Sequence, residues 1–292
     1  MDYRADEQWE LLEQLLDSEQ FRQGSLSLQQ GQTGLNEKEH SMQAKREAEH
    51  VQTGSAHPES PLIETRPDPG RERRKGIPEV ILGETKTSEQ ILAMARGLLA
   101  GSGHAIISRL RPESIVVVRE AFREYLIHER EAARAMVIYA PGYVRRETGG
   151  HVGVISAGTS DVPVAEEAAL IAEEMGCTVT SLHDVGVAGL HRLIAPLRDL
   201  LVAGVDVLIV AAGMDGALPS VVAGLAPVPV IGLPTSIGYG MGGKGVAALL
   251  SMLQTCAPGL SVVNIDNGVG AGGTAALIAI RVAQARREHL SQ

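Results

Sequence analysis

The sequence predicts an α/β protein: a three-layer, doubly wound parallel sheet in its C-terminal half, preceded by a small α/β module. Three observations carry that expectation. Short apolar runs alternate with helix-length amphipathic segments from about residue 141 onward. One of those runs, residues 205–211, is apolar except for Asp206, as a strand covered on both faces of a parallel sheet requires. Aromatic residues make up only 3% of the chain while glycines number 33, so the core must be built from Ala, Val, Leu and Ile.

The 292 residues divide into three stretches. Residues 1–60 read as a mobile polar leader with one short helix, in which Trp9, Leu11, Leu12, Leu15 and Leu16 form an amphipathic stripe. Between residues 18 and 60 only Phe21, Leu26, Leu28, Leu35 and Val51 supply Leu, Ile, Val or Phe, too few to offset the entropy of ordering. Residues 61–140 form the small α/β module. It opens with a turn at Asp68-Pro69-Gly70 and a basic cluster of Arg71, Arg73, Arg74 and Lys75, and residues 76–82 read as extended. Thr87 or Ser88 can cap a helix carrying Ile91, Leu92, Met94, Ala95, Leu98 and Leu99. Residues 105–108 form a buried strand, and Pro112 opens a second helix where its missing N–H costs nothing.

Residues 141–288 form the doubly wound domain. Strands are expected at 152–156, 178–182, 205–211, 228–233 and 261–265. The intervening helices hold Pro163 in the first turn of one, then cover 190–203, 217–223 and 246–255, and residues 275–286 close the series. Ligands of such sheets bind beyond the carboxyl ends of the strands, so function is expected in the connecting loops.

The first loop, Ser156-Ala157-Gly158-Thr159-Ser160-Asp161, offers backbone N–H groups and hydroxyls to an anion at a helix start. Asp161 can cap that helix or accept from a ribose hydroxyl. The loop lacks the Gly-x-Gly-x-x-Gly spacing of dinucleotide-linked dehydrogenases. A second loop carries His183, Asp184 and Gly186, a third Gly213, Met214, Asp215 and Gly216. Asp215 is suited either to capping the next helix or to moving a proton. The fourth, with Ser236, Gly238, Tyr239, Gly240 and Lys244, is glycine-rich between two buried elements and reads as a lid. Cys256 is expected at a helix end, a position that gives a thiol no activation; a small buried hydrophobe is its plain reading, as it is for Cys177.

A net charge of −9 argues against a duplex-wrapping or membrane-surface protein. Two cysteines make no disulfide scaffold, no apolar run reaches membrane-span length and no export signal opens the chain, so a cytoplasmic protein is expected.

Taken together, several motifs resemble a known family. They are Asp184-Val185-Gly186-Val187-Ala188-Gly189-Leu190-His191-Arg192, Gly213-Met214-Asp215-Gly216-Ala217-Leu218-Pro219, Pro234-Thr235-Ser236-Ile237-Gly238-Tyr239-Gly240 and Val262-Val263-Asn264-Ile265-Asp266-Asn267-Gly268. With Arg73-Arg74-Lys75-Gly76-Ile77-Pro78-Glu79-Val80-Ile81, they resemble the pyridinium-3,5-biscarboxylic acid mononucleotide synthases, the LarB family of nickel-pincer cofactor synthesis. The C-terminal domain is similar to the flavodoxin-like domain of class I phosphoribosylaminoimidazole carboxylases. The resemblance implies nicotinic acid adenine dinucleotide and CO2 or bicarbonate as substrates, Mg2+ as an assisting ion, and a ring-like homo-oligomer of octamer type. It assigns catalysis to Cys256 and Asp215, where the family usually has Glu, and puts substrate on Ser156, Gly158, Thr159, Ser160, Asp161, Asp184, Gly186, Gly213, Met214, Gly216, Ser236, Gly238, Tyr239 and Gly240. A purine-pathway carboxylase or mutase using His183 and a non-catalytic nucleotide sensor are the competing expectations.

Overall fold

The computed structural model describes residues 65–290. The expected helix and polar leader of residues 1–60 lie outside the described residues. After a short helix α1 (Arg71–Lys75), the module builds a four-stranded sheet in the order β1-β2-β4-β3. β1 (Val80–Leu82) runs parallel to β2 (His104–Ser108), and β4 (Ala135–Tyr139) is antiparallel to both β2 and β3 (Leu126–Arg130). Thr87 opens α2 (Ser88–Ser102) through a capping box: Gln90 N–H donates to its hydroxyl at 3.3 Å and its own N–H donates to the Gln90 side chain at 3.0 Å. Pro112 begins α3 (Pro112–Ala121) as expected. The β3–β4 hairpin has no counterpart in the sequence reading. Its turn rests on Arg134 in the left-handed region (φ 49°), so no Gly or Asn-Gly marks it.

The second sheet is wholly parallel, in the order β6-β5-β7-β8-β9, which is the flavodoxin-like arrangement. Its strands are β5 (His151–Ser156), β6 (Thr178–Leu182), β7 (Val207–Ala212), β8 (Val230–Pro234) and β9 (Leu260–Val262). β7 starts at Val207 rather than 205 because Asp206 is spent on its neighbours. Its carboxylate accepts from His151 N–H at 2.8 Å and pairs with Arg286 at 2.8 Å. Val152, Val154, Val207, Ile209, Ile231 and Leu233 face the core shared with α4 (Val162–Glu174) and α8 (Gly268–Leu290). The opposite face carries α5 (His191–Val202), α6 (Leu218–Leu225) and α7 (Val246–Leu253); there Gly153 lies under Leu200 and Gly232 under Met252.

The last helix corrects the sequence reading. Residues 268–274 were expected in a loop, yet α8 begins at Gly268. Close packing on α4 overrides the poor helix propensity of Gly268, Gly270, Gly272 and Gly273. A Cβ at Gly272 would stand 2.3 Å from the Ala168 carbonyl oxygen. Asn267 completes the start, its Oδ1 accepting from Gly270 N–H at 2.9 Å. Contrary to the expectation that no run reaches span length, residues 268–289 of α8 are long and apolar enough to cross a membrane. The apolar face they present is spent on the core, with Ala271, Ala275, Ala276 and Ala279 fully buried.

The module and the linker that follows it dock on α4 through three arginine–glutamate pairs. Arg109 makes a two-pronged contact with Glu167 at 2.9 Å, Arg130 bonds Glu166 at 2.6 Å, and Arg145 reaches Glu174 at 3.2 Å. The glutamates are buried in an otherwise apolar helix, so each needs its partner. Arg109→Ala is expected to lower stability by about 2 kcal/mol, since Glu167 would keep only the Ser108 hydroxyl. Urea unfolding measures this; an unchanged midpoint would show that the pair contributes nothing.

Candidate active site

The strand order reverses between β5 and β7, opening a crevice at their carboxyl ends. Four of the expected loops meet there. Ser156 closes β5 and is fully buried; Gly158 leads into a turn that leaves Thr159 and Ser160 exposed. Asp161 is buried, and both its oxygens are engaged: Oδ2 accepts from Gly158 N–H at 2.9 Å and Oδ1 from the Thr235 hydroxyl at 2.6 Å. It ties the first loop to the fourth rather than offering a free carboxylate to ribose.

The third and fourth loops are joined through Gly213. A Cβ there would meet the Ile237 carbonyl oxygen at 2.2 Å, and Met214 N–H donates to that oxygen at 2.8 Å. Gly216 closes the third turn by donating to the Gly213 carbonyl at 2.9 Å. Asp215 is exposed, with only a long 3.4 Å contact from Ala217 N–H, so its carboxylate is available at the crevice. Ser236 N–H donates to Asp266 Oδ1 at 2.7 Å, while Gly238, Tyr239 and Gly240 are exposed beyond it. Asp184, Met214, Lys244 and Asp266 all hold left-handed φ values between 53° and 59°. Left-handed non-glycine backbone thus occurs in the loops after four of the five parallel strands, all at this edge.

His183 sits between two partners. Its Nδ1 is 3.0 Å from Ser156 Oγ and its Nε2 3.1 Å from Glu166 Oε1, and Glu166 is held in turn by Arg130. With both ring nitrogens engaged, the ring is positioned by the fold. Asp184 pairs with Arg192 at 2.7 Å, and Gly186 begins the turn that follows.

Cys256 is elsewhere. It was expected among the carboxyl-edge loops at a helix end, but it lies three residues past Leu253, in the connection from α7 into β9. A helix-to-strand connection of a parallel sheet returns to the amino edge, and Leu260, which opens β9, pairs with Val230 at the start of β8. Asp215 follows Ala212, which pairs with Pro234 at the end of β8. Within one chain the thiol and the carboxylate are therefore separated by the length of a five-residue strand, about 15 Å. The thiol is exposed, whereas Cys177 is buried and its thiol pushed up by desolvation.

Sequence reasoning missed Thr235, Asp266, Glu166 and Glu167 as site-building groups. The glutamates carried a signal, charge inside the apolar stripe of a helix; Asp266 carried none beyond its turn. Among the described residues no group of three or more His, Cys, Asp or Glu is placed to hold a metal ion. The described side chains by themselves form no Mg2+ cage.

A family model described as AIR carboxylase matches residues 151–292, and one described as LarB/PurE-like N-terminal domain matches residues 62–140. An uncharacterized protein of Methanocaldococcus jannaschii is 42% identical over 217 residues, 73% of this chain and 82% of that protein. An N5-carboxyaminoimidazole ribonucleotide mutase of Mycobacterium tuberculosis is 34% identical over 143 residues, 48% of this chain and 76% of the mutase. The mutase of Pyrococcus horikoshii is 35% identical over 139 residues, 45% of this chain and 71% of that protein.

Proposed function

The chain belongs to the AIR carboxylase family, and from that membership we propose that it carboxylates the pyridinium ring of nicotinic acid adenine dinucleotide and cleaves its phosphoanhydride. The products are pyridinium-3,5-biscarboxylic acid mononucleotide and AMP, the first step of nickel-pincer cofactor synthesis. The observation that carries this reading is the presence of an N-terminal domain matching the LarB/PurE-like model together with an exposed thiol at Cys256.

An electron-poor pyridinium ring does not attack CO2. Addition of the Cys256 thiolate to the carbon beside the target position gives a dihydropyridine whose enamine carbon is nucleophilic. That carbon forms the new C–C bond to CO2. Asp215 then takes the ring proton, the C–S bond breaks, and the aromatic cation returns with a second carboxylate. Water cleaves the phosphoanhydride. The exposed hydroxyls of Thr159 and Ser160 hold phosphate where Gly158 leaves room for its approach, and the loop from Ser236 to Gly240 covers the substrate. Mg2+ is proposed to enter with the substrate, whose phosphates supply most of such an ion's oxygens.

Because Cys256 and Asp215 lie at opposite edges of one chain, this chemistry needs two chains. Support comes from α7, just before Cys256: Val246, Leu250 and Leu253 form an exposed apolar stripe at i, i+4 and i+7. Tyr239 and Met241 extend it from the preceding loop, both exposed. A homo-oligomer that buries this stripe would deliver the thiol of one copy to the carboxylate of another. The proposed setting is cytoplasmic, with no nucleic-acid or membrane partner.

Incubation with the dinucleotide, bicarbonate and Mg2+, followed by mass analysis, tests the reading; absence of both AMP and the dicarboxylated mononucleotide refutes it. The similarity to mutases favours a second reading, an aminoimidazole ribonucleotide carboxylase or mutase with His183 as its acid–base group. His183→Gln separates them. Under the first reading turnover stays within about threefold of wild type, whereas loss of an acid–base catalyst costs about a hundredfold or more.

A further inference from the structure

We propose that the cavity at the amino end of the parallel sheet is a second ligand site, built for a mononucleotide. It encloses about 710 Å³, within the range of small-molecule sites, and lies between the turn at the start of the module, the linker through residue 148, and the ends of α4 and α8. It is remote from the carboxyl-edge crevice: Thr148 and Met175, which line it, precede β5 and β6. The inference does not depend on the carboxylation chemistry.

Three features define what it would bind. Arg73, from the basic cluster that the carboxyl-edge site leaves unused, and Arg146 line the cavity and are exposed, offering forked donors to a phosphate. Glu174 also lines it, its side chain fully buried. Glu174 Oε1 accepts from the Tyr139 hydroxyl at 2.7 Å and from Arg145, but among the described residues Oε2 has no partner. A buried carboxylate oxygen without a donor is costly, and a ribose diol supplies one. The third feature is one aromatic lining residue, Tyr143, whose ring is held 5.5 Å from that of Tyr139 and 4.8 Å from that of His104. Anion, hydroxyl donor and planar ring in one molecule describe a nucleoside monophosphate.

Calorimetric titration of the full-length protein with AMP, inorganic phosphate and adenosine tests this. AMP is expected to bind saturably, with phosphate and adenosine each weaker by about tenfold or more. Arg146→Ala, at an exposed position that threatens no folding, is expected to weaken AMP about tenfold. Glu174→Gln, whose carbonyl oxygen stays with Tyr139 and Arg145, puts an NH2 donor in place of Oε2 and weakens AMP and adenosine while sparing phosphate. Asp161→Asn, which disturbs the carboxyl-edge loops, leaves this binding event in place and so separates it from product bound at that edge. No saturable binding at millimolar AMP, or equal affinity in wild type and Arg146→Ala, overturns the proposal.

Discussion

Replacing Cys256 by alanine is expected to abolish formation of the dicarboxylated mononucleotide, with turnover falling at least about a thousandfold. The position is exposed and outside helix and strand, so folding and thermal stability should not change. The dinucleotide should still bind, because the proposed phosphate contacts lie in the carboxyl-edge loops and not at Cys256. Asp215→Asn should also be dead for ring deprotonation. Neither variant alone can work, yet co-expression should restore part of the activity. If each site takes its thiol from one copy and its carboxylate from another, random mixing leaves about a quarter of the junctions intact. Recovery near that fraction would establish a shared site. A mixture as inactive as its parents would count against it, and a Cys256→Ala protein that still turns over would remove the thiol from the mechanism and favour the mutase reading.

The second large effect is structural. Gly272→Val is expected to destabilise the protein by about 3 kcal/mol or more, by prying α8 away from α4. Even a bare Cβ would stand 2.3 Å from the Ala168 carbonyl oxygen and 3.0 Å from Ile171 Cβ. Neither helix can retreat easily, because Ala168, Ala271 and Ala275 between them are already fully buried. Thr274→Ala on the exposed side of the same turn is the control and should be near neutral. Equal denaturation midpoints for Gly272→Val and wild type would show that the helices are not in close contact. Since Arg109 also joins Glu167 of α4 to the Asp266 carbonyl, the same substitution should disturb the Ser236 loop.

The alternating strands and helices from residue 151 onward were legible because each writes its own local code. Pro163 opens α4, Gly176 ends the turn after it, and β6 occupies the expected residues 178–182. The glycines of α8 misled because helix propensity is local and weak, whereas the packing that rewards Gly272 comes from a helix a hundred residues earlier in the chain. The β3–β4 hairpin escaped because its turn uses Arg134 without a glycine signal.

The site divides in the same way. Sequence alone determined which loops hold glycines, hydroxyls and carboxylates, since the order of strands and helices fixes which connections follow a strand's carboxyl end. Only the tertiary structure decided what each side chain is free to do. Asp161 is spent on Gly158 and Thr235 and His183 on Ser156 and Glu166, whereas the Asp215 carboxylate is left open. It also decided that Cys256 lies at the far edge from Asp215. The physical reason is that a residue's type is local, while its hydrogen-bond partners and its edge of the sheet depend on chain direction and on contacts between segments far apart in sequence.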